Sequence, residues 1–154
     1  MTRLTGVSAL SLCAMAGTSQ ADVTPQQVWD SLVTYMENMG YETAGSQSMS
    51  GETLTVADAA FSVADAEGES AVSISMDEVV LTDRGDGTVS VAFPQSMPIR
   101  MRFDDGDEAA DLTVDYTHES LQMIVSGTPE EMVWDYTADR LGFALTEITV
   151  DGEN

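Results

Sequence analysis

The chain has 154 residues, 27 of them acidic against five arginines and no lysine, for a formal net charge of −22 at pH 7. That charge repels phosphate backbones and anionic head groups, which disfavours nucleic-acid binding and electrostatic docking on membranes. An apolar content of 43%, regularly spaced along the chain, argues against disorder.

Residues 1–21 read as a cleavable export signal: Arg3 supplies the positive start, a moderately apolar stretch follows, and Ser19-Gln20-Ala21 ends on small residues at the cleavage positions. A membrane anchor needs about 20 apolar residues, and Thr5, Ser8 and Ser11 interrupt this stretch. A lipoprotein signal would place a small residue before the acylated cysteine, whereas Leu12 precedes Cys13. Cleavage would remove the only cysteine and leave residues 22–154 as one periplasmic domain without disulfide or thiol chemistry. No integral membrane segment is expected after cleavage. All of the acidic residues fall in that domain, with Arg84, Arg100, Arg102 and Arg140. Such a charge suits a soluble, salt-adapted surface; a collector of cations or a partner for a basic protein is the alternative.

A helix is expected over 24–40. Thr24 and Gln27 form a capping box around Pro25, and Trp29, Leu32, Val33, Met36 and Met39 gather on one stripe. Gly40 supplies a left-handed stop. Beyond Tyr41 the apolar period changes to two. Leu54–Val63, Val72–Leu81, Val89–Phe93 and Met97–Phe103 read as strands, as do Leu112–Tyr116, Leu121–Val125, Met132–Tyr136 and Leu141–Val150. Their spacing predicts an antiparallel meander. Asp83-Arg84-Gly85-Asp86-Gly87 reads as a hairpin turn, with further turns at Gly106 and Gly127.

The apolar parity slips by one residue at Asp58, at Glu78 and at Glu147. A strand keeps one face buried through such a slip only by inserting a residue, so bulges or bends are expected there rather than chain reversals. Bends of this kind would curve the sheet into a trough or half-barrel. The fold class is therefore mainly β, a curved antiparallel meander behind one N-terminal amphipathic helix. Its candidate apolar-face residues are Trp29, Met36, Ile74, Met76, Phe93, Met101, Met123, Trp134 and Phe143.

Catalytic chemistry finds little purchase. His118, the lone histidine, is expected in a solvent turn, and neither zinc-ligand spacing nor a phosphate-binding glycine loop is present. Asp105, Asp107 and Asp111 are the candidate metal ligands, yet the glycine and terminal glutamate of a calcium loop are missing, and a solvated acidic tip is the simpler reading. Arg100 and Arg102 are expected to neutralise neighbouring carboxylates. No catalytic residue and no cofactor are assigned.

The segments Asp22-Val23-Thr24-Pro25-Gln26-Gln27-Val28-Trp29, Met39-Gly40-Tyr41, Asp86-Gly87-Thr88-Val89, Met97-Pro98-Ile99, Tyr136-Thr137-Ala138 and Val150-Asp151-Gly152 resemble the start of DUF2125 proteins, uncharacterised exported proteins of alphaproteobacteria. The resemblance implies a periplasmic location and a first part of a longer protein; it brings no activity and no catalytic residues. The expected function is a non-enzymatic periplasmic protein carrying an apolar or lipid ligand on its curved sheet. A structural or interaction module of the envelope is the alternative, and a hydrolase ranks third.

Overall fold

The computed structural model of the chain describes residues 22–66, 69–104 and 108–150. The expected export signal lies outside them, as do Asp105, Gly106 and Asp107. Helix α1 (Pro25–Asn38) starts as its sequence dictates: the Thr24 amide donates to Gln27 Oε1 at 3.0 Å while the Gln27 amide donates to Thr24 Oγ1 at 3.3 Å. Gly40 ends it at φ +91°.

Nine strands follow in one open antiparallel sheet: β1 (Glu42–Ser50), β2 (Thr53–Ala64), β3 (Ser70–Asp83), β4 (Val89–Ala92), β5 (Ser96–Asp104), β6 (Ala109–Glu119), β7 (Gln122–Thr128), β8 (Glu131–Thr137) and β9 (Arg140–Val150). β1 was not anticipated, because its exposed, polar residues carry no alternation; it is held by pairing with β2.

The meander is present in a broken form. β4 and β5 lie end to end along the same edge of β3, facing its two halves. β6 and β7 lie end to end along β5 and β4, and β8 runs into β9 with Thr137 opposite Gln122 and Arg140 opposite Glu119. Each long strand is thus interrupted, at 93–95, at Ser120-Leu121 and at Ala138-Asp139. The interruptions align with Asp58 in β2 and with Asp77-Glu78 in β3, so one crease crosses the whole sheet.

Asp58 takes φ +52°, a left-handed conformation that a short polar side chain tolerates better than most. Opposite it, the β1–β2 register shifts between Ala44 and Ser46. The β2–β3 register runs through unbroken, Ala57 facing Glu78 and Ala59 facing Met76. Both strands slip together, which keeps Val56, Phe61, Met76 and Val79 buried on the same side of the sheet. The slip at Glu147 is a separate bulge in β9, where the register with β6 shifts and Thr146 Oγ1 donates to the Thr113 carbonyl at 3.1 Å.

The crease divides the sheet into two halves with different fates. On the half containing β4 and β7, α1 closes a core of Val28, Trp29, Leu54, Val56, Val79, Leu81, Val89, Val91 and Val125. Trp29 packs against Phe61 with ring centroids 6.1 Å apart. Among the elements described, α1 reaches chiefly β1, β2 and β3, so the half built from β5, β6 and β9 has no covering layer.

Two turns carry their own predictions. At the β3–β4 turn, Gly85 and Gly87 adopt positive φ, and Asp86 Oδ1 accepts from the Thr88 hydroxyl at 2.6 Å. That bond, aided by Arg84, holds the Asp86 carboxyl below its ordinary 3.8. Its stabilising effect is therefore present above the unfolded-state value and fades as pH falls through the lower folded one. An NMR titration should place Asp86 below the ordinary aspartate value, and Thr88→Val should raise it; no response to Thr88→Val would discredit the hydroxyl as the cause.

Gly127, expected at a chain reversal, instead sits inside β7 opposite Met132, and the chain reverses two residues later. Its φ is +99°, and a Cβ there would overlap the Glu131 carbonyl oxygen. Gly127→Val should therefore lower stability by about 2–4 kcal/mol, combining left-handed strain with overpacking. A urea midpoint within 0.2 M of the parent (an order-of-magnitude criterion from typical m-values) would show that the carbonyl moves aside freely.

Candidate functional site

The crease forms an apolar groove of about 400 Å³. Phe61, Ile74 and Met76 form its floor, placed there by the joint slip of β2 and β3. Leu32 and Met36 of α1 overhang one wall. Phe93, Met123 and Tyr136 come from one side of the crease, and Met97, Ile99, Tyr116, Leu121 and Leu141 from the other. A second hollow of about 390 Å³ shares Leu32, Phe93 and Met123 and adds Tyr35 and Trp134. Aliphatic, thioether and aromatic side chains line both, and the polar side-chain groups among the lining residues are the Ser31 and tyrosine hydroxyls and the Trp134 indole N–H.

Of the residues anticipated on the apolar face, Met36, Ile74, Met76, Phe93 and Met123 line the groove and Trp134 the adjoining hollow. Trp29 does not: it is core, 3% exposed beneath the helix. Met101 and Phe143 lie on the same sheet face beyond the groove. Met101 stands between Val72 and Leu112, and Phe143 packs on Tyr116 with ring centroids 5.2 Å apart. Of the groove residues not singled out, Leu32 lies on the apolar stripe expected for the helix, and Phe61, Met97, Ile99, Tyr116, Leu121, Tyr136 and Leu141 occupy alternating positions of runs that were recognised as strands. Periodicity marks a face, but it does not say which positions on that face converge.

Beyond the groove the apolar face continues in cross-strand rows. Ile74, Ile99, Val114 and Leu145 form one, and Val72, Met101, Leu112 and Ile148 the next. The opposite face is polar, with Ser73, Arg100 and Thr113 side by side. Arg102 behaves as expected, bridging Asp111 at 3.1 Å and Asp104 at 3.4 Å. Asp111 is thus engaged by an arginine, Asp105 and Asp107 lie outside the described residues, and no cluster of three potential metal ligands occurs among the described ones.

His118 departs from expectation. It belongs to β6, which runs on through Glu119 because β9 pairs with it there, and it is 8% exposed rather than solvated in a turn. Its Nε2 lies 2.8 Å from the Pro94 carbonyl oxygen, and its backbone amide donates to the Gln95 carbonyl at 3.0 Å. A carbonyl only accepts, so Nε2 carries the proton. Nδ1 is buried without a hydrogen-bond partner. Neither nitrogen meets a serine or a carboxylate, and the ring serves to clamp the 93–95 interruption onto β6 at the crease.

No helix among the described residues is long and apolar enough to cross a membrane. No family model, curated protein or solved structure matches the chain. The groove therefore stands as the candidate site on its own geometry.

Proposed function

We propose that this chain is an exported, non-enzymatic protein that holds an apolar, acyl-type ligand in the crease between α1 and the sheet. The observation that carries the reading is the groove itself. At about 400 Å³ it falls within the range of small-molecule sites, and its lining offers apolar contact along its length with almost no polar group to satisfy. An acyl chain needs that and little more. The net charge of −22 favours ligands with a neutral or cationic head over anionic ones. A periplasmic location and the likeness to DUF2125 proteins belong to the same proposal, resting on the signal-like residues 1–21 and on the segments that resemble that family.

Native mass spectrometry of the purified protein and titration with N-phenyl-1-naphthylamine, a neutral apolar fluorophore, test it together. The expected results are a co-purifying lipid mass and a saturable rise in fluorescence that the extracted lipid displaces. The absence of both a bound mass and a saturable rise would overturn the reading.

A further inference from the structure

We infer that two copies of this chain pair through β9, antiparallel, about a two-fold axis at Phe143, joining their sheets into one. Among the described residues β9 ends the sheet, its ladder running along β6. Natural edge strands are usually guarded by lysine, proline or central charge, and β9 has none of these between Leu141 and Leu145. Its guarding bulge sits at Thr146, beyond that stretch. Leu141, Phe143 and Leu145 are 50%, 69% and 55% exposed, on the sheet face that no layer covers.

The partner is identified by symmetry. An isologous contact requires a pattern that reads alike in both directions from its axis, and Leu141-Gly142-Phe143-Ala144-Leu145 does so. Centred on Phe143, Leu141 faces Leu145 of the partner subunit, and Gly142 faces Ala144 of the partner subunit. The apolar side chains then form one row across both copies, and the smallest side chains meet on the polar face. Gly142 is already crowded from the β6 side, where a Cβ would stand 2.7 Å from Thr117 Oγ1.

Charge agrees with this register. Arg140 and Glu147 are the charged residues of β9; Arg140 bridges Glu119 of its own chain at 3.5 Å in an exposed pair, and the axis brings it opposite Thr146 of the partner subunit, where it can be shared with the neighbouring Glu147 of the partner subunit. Both contacts occur twice. Self-pairing of β8 would instead bring together strands whose charged residues, Glu131 and Asp135, are all acidic, and β1 has no apolar row to bury. The edge of β9 is the one whose self-pairing satisfies both the apolar pattern and the charges.

Sedimentation of the full chain and site-directed cross-linking test the pairing. The chain should sediment as a dimer at about 100 µM in 0.5 M NaCl, and the dimer should tighten as salt rises, because screening weakens repulsion between two chains of charge −22. In a Cys13→Ser background, Phe143→Cys should form a disulfide dimer on mild oxidation, since facing Cα atoms in such pairs fall within disulfide reach. Leu141→Cys, placed away from the axis, should cross-link at least about tenfold more slowly. Arg140→Glu should weaken the dimer and Arg140→Glu with Glu147→Arg should restore it. A monomer at all salt concentrations, or equal cross-linking from Leu141→Cys and Phe143→Cys, would overturn the inference while leaving the groove untouched.

Discussion

Leu81→Ala is expected to lower the free energy of unfolding by about 2–5 kcal/mol, the usual cost of a cavity in a closed core. Leu81 is 1% exposed and faces Leu54 on one neighbouring strand and Val91 on the other, so truncation leaves a void that three strands share. Those strands are fixed by their ladders and roofed by α1, which limits collapse into the space. Domains of this size are stable by only about 5–15 kcal/mol, so the loss is a large share of the total. Urea unfolding followed by tryptophan fluorescence reads it directly, since Trp29 belongs to the same core. Leu145→Ala, on the uncovered half at 55% exposure, should cost well under about 1 kcal/mol when unfolding is followed at protein concentrations dilute enough for the chain to be monomeric. Equal costs at the two positions would mean that the core is not where the helix closes it.

Ile99→Glu is expected to weaken N-phenyl-1-naphthylamine binding at least about tenfold, because an apolar ligand would have to bury a carboxylate that finds no partner in the groove. Ile99 lines the crease from β5 without belonging to the buried core. The melting temperature should accordingly move little. A general effect of added negative charge is separated by Gln122→Glu, which places the same charge on an exposed β7 residue beside the groove. If Gln122→Glu weakens binding as much as Ile99→Glu, the fluorophore is responding to charge and not to the crease.

Some of this molecule is legible locally. The helix cap is written in Thr24, Pro25 and Gln27, whose side chains and φ restriction act within four residues. The slips at Asp58, Glu78 and Glu147 are equally local, because a two-residue period cannot cross an inserted residue without showing it. Gly127 and His118 mark where local reading stops. A glycine after a strand reads as a turn until the Glu131 carbonyl is seen occupying the space of its missing Cβ. A histidine between two apolar runs reads as solvated until β9 pairs along β6 and buries it against Pro94.

The sequence by itself determined the elements that depend on near neighbours: one capped helix, alternating strands, and the positions where those strands bend. It also determined that one face would be apolar, since alternation sets the two faces apart wherever the strand is placed. Only the tertiary structure decided that the bends align into a single crease, that α1 roofs one side of it and leaves the other bare, and that Trp29 is core while Ile99 lines the groove. Alignment of bends depends on the register between strands far apart in the chain, and that register is set by many pairings at once, none of which is visible from any single segment.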